Sequence, residues 1–266
     1  MIAATPSPIH VGVGGWDFDP WRGTFYPAGL PKAKQLEYAA RHLTATEINA
    51  TYYKLQKPEL FAKWAKAVPD GFKFAVKASR FCTNRKALGG AGEGIQRFCA
   101  QGLTELGDRL GPILWQFMGT KRFDAEDFQA FLNLLPRTQD GVALTHAVEP
   151  RHESFRNAEF VAMARAAGVA IVFADADDYP CIPDLSGDIV YARLQRAREE
   201  APTGYAPAAL DHWAKVARQW SRGESPSGFP YLAQAPPARP SDSYIFFISG
   251  AKVRNPLAAA ALIERL

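Results

Sequence analysis

The sequence predicts one α/β domain over residues 1–266, folded as a TIM-like (β/α)8 barrel of parallel strands. Three observations predict this fold. Eight short apolar runs rich in β-branched and aromatic residues recur along the chain, helical patterns separate most of them, and polar residues follow where the runs end. A length of 266 residues suits a single barrel, because such barrels occupy about 250 residues.

Each apolar run predicts a strand. Most runs are apolar almost throughout instead of alternating, which is typical of parallel strands covered on both faces. The predicted strands are His10–Val13, Ala45–Asn49, Phe72–Lys77, Ile113–Phe117, Ala143–Glu149, Val169–Ala174, Ile189–Leu194 and Tyr244–Ile248.

Apolar residues at helical spacing fill most of the gaps. The longest predicted helix is Glu93–Leu110. The helix Asn157–Ala167 ends at Gly168, a favoured C-cap residue, and Asn255 before Pro256 predicts an N-cap followed by proline in the first turn. The predicted helices are Lys34–His42, Pro58–Ala67, Glu93–Leu110, Ala125–Leu135, Asn157–Ala167, Ala206–Trp220 and Pro256–Leu266.

Two segments depart from the strand–helix repeat. Asp177–Gly187 contains two prolines and predicts only a turn in place of the sixth helix. Gly223–Ser243 is rich in proline and glycine and predicts a long surface loop before the eighth strand. Too few residues follow that loop to form a second domain.

Composition excludes several classes of protein. A hydrophobic fraction of 47% with 22% charged residues excludes global disorder. The net charge of +4 is too small to predict a nucleic-acid partner, and it suits an anionic ligand only if positive groups converge on one site. Three widely spaced cysteines, with no apparent signal peptide or membrane span, predict a cytoplasmic protein.

Polar residues recur at the predicted strand ends. In parallel barrels the chemistry lies at the carboxyl ends of the strands, and a charge in a barrel core costs several kcal/mol unless it is paired. The pattern therefore predicts one convergent site at the barrel mouth. Its candidate residues are Gly15, Trp16, Glu47, Asn49, Tyr52, Lys77, Gln116, Glu149, Arg151, His152, Asp175, Arg193 and Asn255.

The first candidate side chains allow two interpretations each. Glu47 and Asn49 share one face of a strand, since side chains alternate. They either act in catalysis and ligand binding, or cap a loop and pair with Lys77. Lys77 is either a structural ion-pair partner or an anion-binding or proton-transferring lysine with a pKa altered by its surroundings.

The later strand ends also leave alternatives open. Arg151 either binds a carboxylate or phosphate ligand in bidentate fashion or holds Glu149 or Asp175 in a buried network. His152 is a base, a metal ligand or a neighbour of a helix cap. Asp175 is a base or a partner of another site residue, and Arg193 holds an anion.

The N-terminal glycines and aromatic residues indicate a function less clearly than the strand-end residues do. The string V-G-V-G-G-W (Val11–Trp16) lacks the GxGxxG order of a dinucleotide site. The aromatic residues that follow, Trp16, Trp21, Phe25 and Tyr26, form either a hydrophobic lid over the barrel or a stacking surface for a ring.

Six motifs resemble those of the DUF72, or YecE-like, family. The resemblance covers residue 10 to about 260 and implies a TIM-barrel-like fold in a cytoplasmic bacterial or archaeal protein, without an established activity. The motifs are V-G-x-G-G-W…W-x-G-x-F-Y-P (Val11–Pro27), E-I-N-A-T-Y-Y (Glu47–Tyr53), F-x-F-x-V-K (Phe72–Lys77), G-P-I-L-W-Q-F (Gly111–Phe117), V-E-P-R-H-E-S-F (Val148–Phe155) and Y-A-R-L (Tyr191–Leu194).

Three positions depart from the family pattern. Asn84 and Gln195 stand where the resemblance implies histidines, and Ser249 stands where it implies the first of two asparagines. The later Asn255 matches the family. The departures remove two potential histidine ligands or bases.

The first functional hypothesis is an enzyme acting on a small anionic substrate, phosphorylated or carboxylated. Lys77, Arg151 and Arg193 hold the anion, while Glu47 and Glu149 act as acid and base. Hydrolase, lyase and isomerase chemistry are equally compatible with this set.

Two alternatives accompany it. A divalent metal held by Glu47, Glu149, His152 and Asp175 is a variant of the enzyme hypothesis. The other is a non-catalytic module that binds a small ligand or nucleic acid, to which the basic stretch Arg193–Arg198 contributes. Acidic residues follow that stretch directly and dilute it, so we interpret it as a solvated loop.

Overall fold

Eight parallel strands close into a barrel in which each strand pairs with its neighbours in chain order and the last pairs with the first. The structure, a computed structural model, describes residues 5–266. It confirms the predicted fold class. The strands, numbered β1–β8, are Ile9–Gly14, Ala45–Ile48, Lys73–Lys77, Leu110–Gln116, His146–Glu149, Ala170–Asp175, Ile189–Leu194 and Asp242–Phe247.

Helices surround the barrel. Asp124 and Asn157 cap two of them by accepting hydrogen bonds from backbone N–H groups of the first turn. Gly168 has the left-handed φ of 68° expected of a C-cap residue. In the described residues the α-helices, α1–α9, are Gln35–His42, Ala50–Tyr53, Pro58–Lys66, Arg80–Thr83, Gly92–Cys99, Ala125–Leu134, Ala158–Ala167, Pro207–Ser221 and Asn255–Ile263, and the 3-10 helices are Asp19–Trp21, Lys32–Lys34, Leu88–Ala91, Leu103–Arg109, Glu153–Phe155 and Lys252–Arg254.

The core has an inner and an outer layer. Two large apolar clusters pack between the strands and the helices. A smaller cluster fills the barrel interior, and its members alternate along the strands with residues that face the helices. The interior residues are Ala45, Ala75, Leu114, Ala147, Ala170, Val172, Tyr191, Tyr244 and Phe246. No helix within residues 5–266 has the length and apolar character that a bilayer crossing requires.

The predicted long helix Glu93–Leu110 is wrong. Its first part is α5, but the chain then forms the separate 3-10 helix Leu103–Arg109, and Leu110 already belongs to β4. Gly102 and Gly107 adopt positive φ values of 103° and 55°, which an α-helix does not accommodate.

Most other predicted ends are shifted by one to three residues, and two further predictions are corrected. The predicted strand Ala143–Glu149 is shorter, because Asp140 and Gly141 form a turn with positive φ and Val142–Ala143 pairs back onto Thr138–Gln139. Asn255 is not an N-cap but the first residue of α9, with helical φ and ψ. Its side chain donates instead to the Ser249 carbonyl at 3.1 Å.

The two predicted irregular segments are confirmed, except that Asp242 and Ser243 already belong to β8. Residues 176–188 and 222–241 contain neither helix nor strand. The segments contact each other, because the Asp184 carboxylate accepts hydrogen bonds from the backbone of Leu232 and Ala233. Arg165 on α7 donates to the carbonyl of Gln234. Irregular chain thus covers the side of the barrel where the sixth helix is missing.

Closure of the barrel requires glycine at position 12. A Cβ there would lie 1.9 Å from the carbonyl oxygen of Ala45 on the neighbouring strand. We expect Gly12→Ala to lower the free energy of unfolding by about 2 kcal/mol or more, because two paired strands must move apart. Urea unfolding followed by circular dichroism measures the change.

Gly29→Ala is the matched control. Nothing lies within 4 Å of a Cβ at Gly29, so its unfolding free energy should change by no more than about 0.5 kcal/mol. Equal stabilities of the two variants would contradict the close strand contact.

Candidate active site

The last inward-facing position on several strands is polar. Along each of these strands, the residue two positions before it belongs to the apolar interior cluster, so the polar side chain points to the same interior by alternation. This arrangement places five polar side chains at the carboxyl end of the barrel. They are Glu47 on β2, Lys77 on β3, Gln116 on β4, Glu149 on β5 and Arg193 on β7.

Arg193 joins two buried carboxylates. Its Nη1 donates to Glu149 Oε2 at 2.7 Å and its Nη2 to Glu47 Oε1 at 3.0 Å. The hydroxyl of Tyr191 donates to the remaining Glu47 oxygen at 2.7 Å. Both glutamates are 0% exposed and Arg193 is 2% exposed, so each charge depends on its partners to remain ionised inside the protein.

Glu149 has further partners. Gln116 Nε2 donates to its Oε2 at 2.7 Å and Arg151 Nε to its Oε1 at 3.2 Å. Burial by itself would raise the pKa of Glu149, but Arg193, Arg151 and Gln116 outweigh it and hold that pKa below its ordinary value. Arg151 also lies over the ring of Tyr179, 4.1 Å from its centroid. Arg151 therefore holds Glu149, as one of its two interpretations predicts.

Lys77 differs from the other charges of the site. No carboxylate of the described residues lies within 4 Å of its Nζ, so the predicted alternative of an ion pair with Glu47 is absent from this part of the chain. Its Nζ lies 4.4 Å from the ring centroid of Tyr52. Burial, reinforced by Arg193, lowers the pKa of Lys77 to about 8, although the glutamates oppose the shift.

A cavity of about 700 Å³ opens above this layer. Glu47 and Glu149 do not line it, because they lie beneath the cationic side chains that they bind. The predicted residues that line the cavity are Gly15, Trp16, Asn49, Tyr52, Lys77, Gln116, Arg151, Arg193 and Asn255.

Besides the two glutamates, Asp175 and His152 also lie outside the cavity. On β6 the alternation directs Ala174 toward the interior side and Asp175 toward the outside, where Asp175 pairs with Arg196 at 3.3 Å. His152 caps the 3-10 helix that follows it by accepting from the backbone N–H of Ser154 at 3.1 Å. Asp175 and His152 therefore do not line the cavity, which corrects the prediction that they belong to the site.

The predicted metal set does not come together. Within residues 5–266 no group of three or more His, Cys, Asp or Glu side chains is placed to hold a metal ion. Glu47 and Glu149 bind Arg193, whereas His152 and Asp175 make the separate contacts described above. The metal variant of the enzyme hypothesis therefore lacks its ligand set.

The aromatic residues of the N-terminal loop lie in two different places. Trp16 lines the cavity and makes an edge-on contact with Trp64 at 5.3 Å between ring centroids, so it is available as a stacking surface. Trp21, Phe25 and Tyr26 are buried in the outer core, which excludes them as a stacking surface. The Tyr26 hydroxyl donates to the carbonyl of Trp16 and fixes that turn.

Sequence reasoning missed Tyr191, Tyr179 and Lys252. Tyr191 was detectable, because it precedes Arg193 by two positions and must share its face. Tyr179 lies in the segment that predicts only a turn, and no local pattern marks it. Lys252 lines the cavity rim over the ring of Phe18 and follows the last strand.

Two of the three departures from the family pattern touch the site. Asn84 donates to the hydroxyl of Tyr52 at 3.2 Å. Ser249 lines the cavity with a left-handed φ of 59°, a conformation that asparagine adopts more readily than serine. Gln195 is buried, and its Nε2 finds no acceptor within residues 5–266.

Loss of Arg193 should destabilise the protein in a pH-dependent way. Arg193→Met leaves two buried carboxylates without their shared cation, so we expect a loss of about 3–5 kcal/mol at neutral pH. The lowered pKa of Glu149 means that its stabilising contribution is complete above its ordinary value of 4.5 and is lost as the pH falls through the lower folded value. The deficit should therefore shrink in acid.

Urea unfolding at a series of pH values measures this deficit. Arg41→Met is the control, since the exposed pair of Arg41 with Glu37 contributes no more than about 0.5 kcal/mol. A deficit that is equal at neutral and acid pH would indicate lost packing instead of lost charge pairing.

Two curated proteins are similar in sequence to part of this chain. UPF0759 protein YecE of Escherichia coli (strain K12) is 28% identical over 150 residues, which cover 55% of this chain and 50% of YecE. UPF0759 protein YunF of Bacillus subtilis (strain 168) is 32% identical over 79 residues, covering 29% of this chain and 27% of YunF. The matched region thus spans half or less of these curated relatives.

A solved structure and a family model extend the match to nearly the whole chain. The crystal structure of a DUF72 family protein from Thermotoga maritima has a TM-score of 0.73 and 22% identity, covering 97% of this chain and 98% of that one, which shows the shared fold. The family model described as "Protein of unknown function DUF72" matches residues 10–266. The chain belongs to the DUF72 family.

Proposed function

We propose that the protein is an enzyme acting on a small anionic substrate, phosphorylated or carboxylated, at the carboxyl end of the barrel. The observation that carries this proposal is an excess of positive charge at one cavity. The cations Lys77, Arg151, Arg193 and Lys252 line it, against the carboxylates of Glu47 and Glu149 beneath and of Asp17, which pairs with Lys32. Since the arginines and Tyr191 already bind Glu47 and Glu149, neither Lys77 nor Lys252 pairs with a carboxylate among the described residues, and of the two Lys77 belongs to the interior layer.

The cations crowd one another in a partly desolvated space. The charges of Arg193 and Arg151 both lower the pKa of Lys77, which means that they lie close enough to repel it. A bound anion relieves that repulsion and accepts charge-assisted hydrogen bonds. The side-chain amides of Asn49 and Gln116 line the same cavity and offer neutral donors to the rest of a ligand.

The contacts favour Lys77 over the glutamates as the group that transfers protons. Every carboxylate oxygen of Glu47 and Glu149 accepts a hydrogen bond, and the lowered pKa of Glu149 keeps it ionised. A pKa of about 8 lets Lys77 gain and lose a proton near neutral pH. We therefore assign proton transfer to Lys77 and the positioning of Arg193 to the two glutamates, which modifies the roles expected from the sequence.

Calorimetric titration with inorganic phosphate and with pyruvate tests anion binding. We expect Lys77→Met to weaken binding of at least one of them by about tenfold to a hundredfold, since a hydrogen bond to a charged group contributes about 1.5–3 kcal/mol. Affinity should also fall as the pH rises through about 8, where Lys77 loses its charge. Lys63→Met, at an exposed lysine of α3, is the control and should bind as the wild type does.

Consumption of substrate tests the enzymatic part of the proposal. The wild type is incubated with phosphorylated and carboxylated metabolites, and each compound is followed by mass spectrometry. Consumption that Lys77→Met abolishes and Lys63→Met retains supports the proposal. Binding without consumption of any compound would identify a non-catalytic ligand-binding module, and salt-sensitive binding of nucleic acid with no anion binding would overturn the proposal.

A further inference from the structure

We infer that Lys77 is a nucleophile that forms an imine with a carbonyl group of the substrate. The substrate class is then an oxo acid or a phosphorylated aldehyde or ketone. This inference rests on the proposed function, because the anionic group anchors the molecule while its carbonyl carbon meets the lysine.

The position of Lys77 suits a nucleophile better than a structural cation. It occupies the last interior position of β3, and its backbone carbonyl accepts a hydrogen bond from Thr51 Oγ1 at 2.7 Å, which fixes the strand end. Lys77 lines the cavity. A lysine retained only to balance charge would pair with a carboxylate, but Glu47 and Glu149 are bound by Arg193 instead.

The surroundings of Lys77 keep a substantial minority of the amine in its neutral form. Arg193 from β7 and Arg151 after β5 oppose its charge, while Glu47 and Glu149 from β2 and β5 favour it, and burial decides the balance. With a pKa of about 8 in place of 10.5, the neutral fraction at physiological pH is roughly a fifth, about two hundredfold larger than for an ordinary lysine. Desolvation and neighbouring cations activate lysine nucleophiles in this way.

Two residues that line the cavity carry buried hydrogen-bonding atoms without partners. The Nε–H of Arg193 is buried and finds no acceptor within residues 5–266, and Asn255 Oδ1 is buried and finds no donor there. Both residues line the cavity that Lys77 faces. Because both atoms have almost no accessible surface, a substrate reaches them only after the two side chains shift; an anionic oxygen can then accept from the arginine and a substrate hydroxyl can donate to the asparagine.

The step balances without an added oxidant or reductant. The neutral amine of Lys77 attacks the carbonyl carbon, and a proton passes from nitrogen to oxygen to give a carbinolamine. A proton taken up from solvent converts its hydroxyl into water, which leaves, and the nitrogen lone pair forms the C=N bond of a protonated imine. That cation withdraws electrons from the adjacent carbon and weakens a C–C or C–H bond there, as lyase and isomerase reactions require, and water later restores the amine and releases the product.

Borohydride trapping tests the inference. The protein is incubated with pyruvate or with glyceraldehyde 3-phosphate, treated with sodium borohydride, and analysed by intact mass and peptide mapping. We expect a reduced adduct on Lys77, at least about tenfold above that on any other lysine, with one or both probes. Acetone, a carbonyl compound without an anionic group, should give little adduct, and the yield with the anionic probes should rise as the pH increases toward 8.

Variants separate this inference from the proposed function. Lys77→Arg keeps the positive charge but cannot form an imine, so it should lose the adduct and still bind phosphate. Lys63→Met should keep both properties. An absent adduct at Lys77 with both probes, while phosphate or pyruvate still binds, would overturn the imine and leave the proposed anion site intact. Failure of both anions to bind the wild type would overturn the two proposals together.

Discussion

The guanidinium of Arg193, held between the carboxylates of Glu47 and Glu149, sets the charge distribution of the barrel mouth. The three side chains come from β7, β2 and β5, so their two ion pairs connect strands across the interior. Buried carboxylates require this partner. Because the glutamates bind Arg193, no carboxylate of the described residues lies within 4 Å of the Lys77 ammonium, and the cavity acquires its positive character.

The sequence was sufficient for the fold because barrel strands are buried on both faces and leave continuous apolar runs. The ends of helices and strands were predicted less exactly where apolar spacing and glycine conformation point to different structures. Apolar spacing continues through Glu93–Leu110, yet Gly102 and Gly107 take backbone conformations that no helix contains. The Asp140–Gly141 turn likewise cuts short a predicted strand. In both cases backbone geometry overrides side-chain periodicity.

The site was predictable to the extent that alternation along a strand fixes which way a side chain points. Applied at strand ends, that rule identifies Glu47 and Arg193 as inward and excludes Asp175, which is one position out of phase. The choice of partners was not predictable. Which carboxylate meets Arg193 depends on the stagger of strands around the closed barrel, and the contribution of Tyr179 depends on an irregular segment with no periodic pattern.

The missing sixth helix has a consequence for how this barrel can vary. Between β6 and β7 the strands are covered by residues 176–188 and by the segment around Leu232, joined through side-chain-to-backbone hydrogen bonds such as those of Asp184. Loops absorb insertions at a small entropic cost. The chain can therefore lengthen or shorten at these two segments without changing the layer of Glu47, Glu149 and Arg193 at the floor of the cavity.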